Sequence, residues 1–206
     1  MDAALHSDHV QLIPANEYRR VRWRNGAGWT REIATGPLDA VDGVTPAWHW
    51  RLSIAEIDRD GPFSTFEGVE RECMLLHGHG AALQFENAPS QLLSPPFGRL
   101  CFSGEARISA ALVDGRVEVF NLMWRRERVQ ASTWHRPLVG SMVVFVDPDS
   151  CWVVHVLAGN ARLSGGTDAP MLSMGDTAIL RAGEVRTRHA LEGGGELLLI
   201  RIEPEG

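Results

Sequence analysis

The chain has 206 residues, of which 44% are hydrophobic and 22% charged, which is typical of a folded globular protein and excludes extensive disorder. Its net charge of −6 argues against a nucleic-acid partner. Three widely spaced cysteines form no CxxC pair, and no apolar run approaches the roughly 18 residues of a membrane helix. We therefore expect a cytoplasmic protein without disulfides, signal peptide or membrane partner.

The first distinctive segment is Arg-Trp-Arg-Asn-Gly-Ala-Gly-Trp-Thr-Arg-Glu-Ile, residues 22–33. Its Asn-Gly-Ala-Gly stretch tolerates positive φ and predicts a tight turn. The residues after the turn alternate with the period of a β-strand, which places Thr30 and Glu32 on one face. With Asn25 at the start of that strand, the segment predicts a small-molecule site.

The second segment, residues 48–55, alternates between apolar and polar side chains and predicts another strand. Its apolar face carries Trp48, Trp50, Leu52 and Ile54, and its polar face carries His49, Arg51 and Ser53. The guanidinium of Arg51 can hold a carboxylate bidentately, with hydrogen bonds from Asn25, Thr30 and Ser53. The alternative is an exposed cross-strand ion pair between Arg51 and Glu32.

A turn-rich segment follows, with Gly61-Pro62-Phe63-Ser64 at its centre. Phe63, Ser64 and Phe66 are candidates to close a pocket over the apolar body of a ligand, although packing beneath the loop explains them equally well. Arg71 is a candidate second cation at the mouth of the pocket, with an ordinary surface position as the alternative.

The sequence His77-Gly78-His79 resembles part of a metal-binding motif, because metals bind clusters of imidazole and carboxylate ligands. The pair falls in a predicted hairpin turn between strands 73–76 and 81–85, and the next carboxylate, Glu86, comes too late. We therefore predict a solvated turn, with no metal and no cofactor.

Further short strands follow, and no long helical periodicity occurs. Asp114-Gly115 predicts a hairpin within residues 112–122. Asn121 interrupts the apolar run of this region, and a buried amide needs hydrogen-bond partners, so we place it near the site.

The chain contains an internal repeat with an offset of 79 residues. Residues 92–112 align with 171–191, and Leu-Ser, Gly-Glu and Ala-Leu recur in register. Two copies of one β-unit predict an all-β bicupin, that is, two cupin-like jelly-roll barrels in one chain. We assign residues 1–125 to the N-terminal barrel, which carries the distinctive segments, and 126–206 to the C-terminal barrel, with strand exchange across the boundary.

Three ordered blocks resemble the HutD/Ves family of bicupin proteins: WRNGAGWTREIA (23–34), WRLSIAEIDRDGPFSTFEGVER (50–71) and LVDGRVEVFNLMWRR (112–126). The family usually has glycine where Ala27 stands. The resemblance implies a regulatory or accessory factor of bacterial histidine utilisation, with no established reaction.

The leading hypothesis is a non-catalytic binding protein for a small anionic metabolite, a carboxylate such as N-formylglutamate or urocanate. The first alternative is a cupin-type isomerase or hydrolase, in which Glu32 and His49 would act as acid and base. The second is a scaffold for protein interactions. Association of two copies through sheet edges is a further expectation.

Overall fold

The computed structural model describes residues 9–23, 26–38, 48–163 and 171–206. The all-β prediction is confirmed, since the described residues contain strands and one 3-10 helix, Ala15–Glu17. No helix in these ranges is long and apolar enough to cross a bilayer. The strands are β1 (Val10–Ile13), β2 (Arg19–Arg22), β3 (Gly28–Leu38), β4 (Trp48–Ile57), β5 (Gly61–Pro62), β6 (Val69–His77), β7 (Ala81–Phe85), β8 (Gln91–Leu93), β9 (Arg99–Ser103), β10 (Ile108–Leu112), β11 (Val117–Arg125), β12 (Val129–Val146), β13 (Cys151–Leu163), β14 (Met171–Ser173), β15 (Thr177–Arg181) and β16 (Thr187–Pro204).

The chain divides into two units with an exchanged N-terminal strand. One unit is Tyr18–Val129, and the other joins the described residues up to Glu17 to Gln130–Gly206. Strand β1 pairs antiparallel with β15 and belongs to the C-terminal unit; the prediction assigned residues 1–125 to the N-terminal barrel, with strand exchange across the boundary. Pairing between segments so far apart in sequence leaves no local signal.

The unit Tyr18–Val129 contains two sheets. A six-stranded sheet has the order β2-β3-β4-β11-β6-β9, and a four-stranded sheet has the order β5-β10-β7-β8. The apolar core includes Leu75 of the larger sheet and Leu83 and Ala110 of the smaller one. Because side chains alternate along each strand, the larger sheet directs every second residue toward this interior.

The two predicted hairpins have a different role from the one expected. Strands β6 and β7 flank the turn at Gly78, and β10 and β11 flank the turn at Gly115, but each pair divides between the two sheets. Both glycines have positive φ, as tight reversals require. These turns therefore connect sheets instead of pairing adjacent strands.

The C-terminal unit is built on long strands. Its sheet has the order β1-β15-β13-β16-β12, with β14 also paired to β13. An apolar core that includes Val154, Leu180 and Leu199 stabilises it. Both segments of the repeat form a short antiparallel pair, β7 with β8 and β13 with β14, but the two registers differ by one residue at an offset of 79, since Ala82 pairs with Leu92 and Ala161 with Leu172.

A buried carboxylate stabilises one face of the larger sheet. Glu56 is only 3% exposed, and ion pairs of 2.5, 2.8 and 2.9 Å join it to Arg20, Arg31 and Arg116. Burial raises the pKa of Glu56, but the hydrogen bond from Arg20 and the charges of the three arginines more than offset this, so its pKa lies below the ordinary value.

We expect Glu56→Gln to lower the free energy of unfolding at neutral pH by about 1–3 kcal/mol, because three guanidinium groups lose their common counter-ion. A carboxyl with a lowered folded-state pKa contributes stability above its unfolded pKa and loses it as the pH falls through the folded-state pKa. The difference between wild type and variant should therefore shrink below about pH 4.3, the ordinary glutamate pKa. Urea denaturation at several pH values measures both effects.

Glu67→Gln is the control, because Glu67 is exposed and has no ion pair within the described part of the chain. An equal loss of stability in both variants, or a Glu56→Gln deficit that stays constant down to acid pH, would contradict this role for Glu56.

Candidate functional site

The unit Tyr18–Val129 contains a cavity of about 500 Å³ on the inner side of its larger sheet. This volume lies within the range of small-molecule sites. The cavity is lined by Arg22, Trp23, Thr30, Arg51, Ala55, Pro62, Phe63, Ser64, Phe66, Arg71, Cys73, Val119, Asn121 and Met123. Three of these residues are cationic and none is a carboxylate.

Strand register explains how distant residues come together on the cavity floor. Met123 of β11 lies opposite both Arg51 of β4 and Arg71 of β6. Two residues along, Asn121 lies opposite Ser53 and Cys73 in the same way. Since alternate residues of a strand share a face, these rows all project to the same side of the sheet. The two arginines are thus held by three adjacent strands.

Arg71 is a buried cation without a counter-ion. It is 6% exposed, and no carboxylate in the described ranges lies within ion-pair distance of it. Its Nη1 donates to the carbonyl oxygen of Ser64 at 3.2 Å and its Nη2 to Oδ1 of Asn121 at 3.3 Å, whereas its Nε has no acceptor. Burial, with a contribution from the charge of Arg51, lowers the pKa of Arg71.

Three aromatic rings surround this guanidinium. The centroids of Phe63, Phe66 and Phe102 lie 5.2, 5.8 and 5.2 Å from its central carbon. The rings compensate part of the lost hydration through cation–π attraction. They leave the Nε–H group, which has almost no accessible surface, without an acceptor among the described residues, so part of the cost of burying the charge is not offset.

Arg51 forms the ion pair with Glu32 that was the alternative interpretation, and it also lines the cavity. Its Nε donates to Glu32 at 3.0 Å. Glu32 in turn accepts a hydrogen bond from Arg19 at 2.8 Å. Burial raises the pKa of Glu32, but the hydrogen bonds from Arg51 and Arg19 lower it by more, so its pKa lies below the ordinary value. The ionised carboxylate of Glu32 thus orients the side chain of Arg51.

A loop between β5 and β6 supplies Phe63, Ser64 and Phe66 to the cavity wall. The backbone N–H groups of Phe63 and Phe66 donate to the carbonyl oxygens of Ile108 and Gly104, each at 2.8 Å. Further along the loop, the N–H of Gly68 donates to the Glu105 carboxylate at 2.7 Å. The loop is therefore tied to the sheets at several points.

The other end of the cavity carries a hydroxyl group. The indole Nε1–H of Trp23 donates to Oγ1 of Thr30 at 2.8 Å, so the hydroxyl proton of Thr30 can be directed to a ligand. Trp23 went unrecognised as a lining residue, as did Arg22, Pro62, Ala55, Val119, Met123 and Cys73. The signal that could have identified Trp23 and Arg22 as lining residues is their position in the first distinctive segment, residues 22–33.

The structure brings together seven of the ten predicted site residues on the cavity lining: Thr30, Arg51, Phe63, Ser64, Phe66, Arg71 and Asn121. Glu32 reaches the site through Arg51. Ser53 is 1% exposed and its hydroxyl has no hydrogen-bond partner, but it is not on the lining. Asn25 lies outside the described residues.

The lining residues offer hydrogen-bond donors and apolar contacts more than acid–base chemistry. None of them is an Asp, Glu or His. The thiol of Cys73 lies 3.6 Å from Oδ1 of Asn121, and burial raises its pKa to about 11, so it stays protonated at neutral pH. The arrangement suits recognition of an anion.

The fold and cavity define an all-β protein with a cation-lined cavity. The model of the HutD family matches residues 15–199, and the chain belongs to the HutD family. It is 40% identical over 122 residues to a 21.2 kDa protein in the hutC 3′ region of Pseudomonas putida, and 42% identical over 125 residues to Protein Ves of Citrobacter koseri. These alignments cover 59% of the chain, and 62% and 59% of the two relatives, respectively.

Solved structures extend the similarity to nearly the whole chain. HutD from Pseudomonas fluorescens SBW25, in a formate condition, superposes with a TM-score of 0.81 at 27% identity, covering 96% of this chain and 100% of that one. The Escherichia coli pirin YhhW in complex with nickel(II) has a TM-score of 0.66 at 11% identity, covering 96% of this chain and all of that one, and shows the fold alone. The family name and the location of the P. putida relative associate the family with histidine utilisation.

We expect Arg71→Met to leave the unfolding free energy of the ligand-free protein within about 1 kcal/mol of wild type. A similar-sized apolar side chain removes the cost of burying an unpaired charge while losing two hydrogen bonds. Thermal and urea denaturation measure the change.

Leu122→Ala, in a side chain that is 1% exposed, provides the comparison, with an expected loss of about 2–5 kcal/mol. A loss of that size for Arg71→Met would show that Arg71 is a structural residue, contrary to this account.

Proposed function

We propose that this HutD-family chain binds a small carboxylate metabolite of histidine utilisation, such as N-formylglutamate or urocanate, and acts as a regulatory or accessory factor without turnover. The observation that carries the proposal is Arg71, a buried guanidinium with no carboxylate partner in the described residues and one unpaired N–H. A carboxylate in the cavity supplies the missing counter-charge.

Energetics support a functional reason for this arrangement. An ion removed from water without a counter-ion costs several kcal/mol, and only a few hydrogen bonds and ring contacts offset that cost here. A bound carboxylate would provide the counter-charge that Arg71 lacks among the described residues, and the attraction would be strengthened by burial. Groups that are costly to bury occur preferentially at functional sites.

The dimensions of the cavity suggest how such a ligand lies. The row containing Arg51 and Arg71 is separated from the row containing Ala55 and Val119 by four strand residues, or roughly 13 Å. A carboxylate at the arginine row would leave its body between the phenylalanine rings and the Ala55 row. The hydroxyl of Thr30 would then meet a polar atom at the far end of the ligand.

The proposal includes the finer architecture predicted from the repeat, namely a bicupin with one cupin-like roll in each unit and the ligand site in the first. The presence of a short antiparallel pair in each copy of the repeat, β7 with β8 and β13 with β14, supports it. We also propose a cytoplasmic location, which accords with three free cysteines.

An isomerase or hydrolase acting on a related metabolite is the rival function. The side chains on the cavity lining do not favour it, since the lining has no carboxylate or imidazole. Glu32, the base proposed for such chemistry, is engaged by Arg51 and Arg19. Turnover of a bound metabolite that Glu32→Gln abolishes while binding persists would decide for the enzyme.

Isothermal titration calorimetry with urocanate, N-formylglutamate, glutamate and histidine tests the binding proposal. We expect at least one of the first two to bind, and Arg71→Met to weaken that binding by about 10–150-fold, equivalent to the roughly 1.5–3 kcal/mol of a hydrogen bond to a charged group.

Arg107→Met is the matched control, because Arg107 is highly exposed in the same unit and pairs only loosely with Glu86 at 3.6 Å. Its affinity should equal that of wild type. Absence of binding by all four compounds at millimolar concentration, or equal weakening by both substitutions, would refute the proposal.

A further inference from the structure

The side chain of Asn121 lies on the cavity floor and is almost fully buried. It belongs to β11, the strand between β4 and β6, and is 7% exposed. A primary amide has two N–H donors and one carbonyl oxygen, and buried polar groups of this kind need partners. The groups around Asn121 determine which end of its amide is available to a ligand.

The amide oxygen of Asn121 is held by two donors. Nη2 of Arg71 lies 3.3 Å from it, and Sγ of Cys73 lies 3.6 Å from it. A guanidinium only donates hydrogen bonds, so the amide atom that faces Arg71 is the oxygen. Burial raises the pKa of Cys73 to about 11, so the thiol keeps its proton and donates as well. The orientation of the amide group is therefore fixed.

The amide nitrogen of Asn121 is the end left for a ligand. Within the described part of the chain, no hydrogen bond engages Nδ2, and this atom is not among the fully buried polar atoms that lack a partner. Nδ2 therefore retains accessible surface, and Asn121 lines the cavity. Its two N–H donors thus face the space that a ligand would occupy.

The charged groups beside Asn121 are cations. Arg51 and Arg71 flank Met123 on the same side of the sheet, and a guanidinium has no acceptor atom. None of the described residues on the cavity lining carries a carboxylate or an imidazole. Glu32, behind Arg51, is already paired with Arg51 and Arg19 at 3.0 and 2.8 Å. A bound carboxylate therefore meets several donors, whereas a bound ammonium group meets two cations and no free counter-charge.

We propose that the cavity selects carboxylates without an ammonium group, that is, deaminated or N-acylated acids in preference to free amino acids, and that Asn121 determines this selectivity. The inference rests on the proposed function and deepens it by naming the class of ligand. The carboxylate accepts hydrogen bonds from Nδ2 of Asn121 and from the terminal nitrogens of Arg51. The nitrogen of an α-ammonium group is two bonds from the carboxylate carbon, so an amino acid held in this way brings a third cation beside both guanidinium groups.

Two sets of related probes test the selectivity by isothermal titration calorimetry. Glutamate is compared with glutarate and N-formylglutamate, and histidine with 3-(imidazol-4-yl)propanoate and urocanate. We expect at least one acid without an ammonium group to bind, and its parent amino acid to bind at least about tenfold more weakly. A parent amino acid that binds as tightly overturns the inference and leaves the proposed function intact. Absence of binding by all the acids without an ammonium group at millimolar concentration refutes both.

The substitution Asn121→Asp tests the role of this residue. Aspartate has nearly the size of asparagine and keeps an oxygen for Arg71 and Cys73, but it replaces the N–H donors by a charged acceptor. We expect the affinity for the tightest-binding acid to fall at least about tenfold, and the ratio of its affinity to that of the parent amino acid to approach one. A ratio that keeps its wild-type value would overturn the assignment of selectivity to Asn121.

The matched control is Asn87→Asp, because Asn87 is exposed in the same unit and undergoes the same chemical change. Its affinities and their ratio should equal those of wild type. A nuclear magnetic resonance titration of wild type requires no variant. The side-chain N–H signals of Asn121 should shift as the acid binds, and saturable binding without such a shift would contradict a hydrogen bond from Asn121 to the ligand.

Discussion

The cavity of the unit Tyr18–Val129 depends on the buried guanidinium of Arg71, which has no carboxylate partner within the described part of the chain. Arg71 is held by one backbone carbonyl, one side-chain amide and three aromatic rings, and still retains an unpaired donor. In a stable core, burial of a charge is usually balanced by a partner charge. Because Arg71 lacks a partner charge among the described residues, the cavity is a candidate binding site for an anion.

The surrounding structure fixes this group in place. Strand register aligns Arg71 with Arg51 across β11. Backbone hydrogen bonds hold the loop between β5 and β6 to Ile108 of the smaller sheet and to Gly104, which follows β9. The carboxylate of Glu105 fixes the end of that loop by accepting a hydrogen bond from the Gly68 N–H. Hydrogen bonds from Ser103, Arg126 and this N–H lower the pKa of Glu105 to about 2. Glu56 and Glu105 pair with other arginines of this unit, whereas Arg71 has no carboxylate partner among the described residues.

Much of this arrangement follows from local sequence pattern. Alternation in β3 and β4 correctly placed Thr30, Arg51 and the apolar face of β4, because the period of a strand is a local property. The burial of Arg71 also has a local signal in the sequence. It shares a strand face with Val69, Cys73 and Leu75, while Glu70 and Glu72 lie on the other face. The pattern predicts a buried arginine.

What sequence could not supply is pairing between distant segments. The position of Asn121 between Ser53 and Cys73 depends on which strands are neighbours, and the exchange of β1 depends on a partner more than 160 residues away. The turns at Gly78 and Gly115 were recognised, but a turn motif does not tell whether the chain stays in one sheet or crosses to another. The tertiary pairing of strands decides these features.

Nuclear magnetic resonance of the arginine side chains gives the most direct test of the central claim. The Nε–H group of Arg71 has no acceptor in the ligand-free protein, so a bound carboxylate should shift its ¹H and ¹⁵N signals and slow its exchange with water. Urocanate and N-formylglutamate are the ligands for this titration, with Arg71→Met assigning the signal. A titration in which binding occurs while the Arg71 signal stays unchanged would contradict the account.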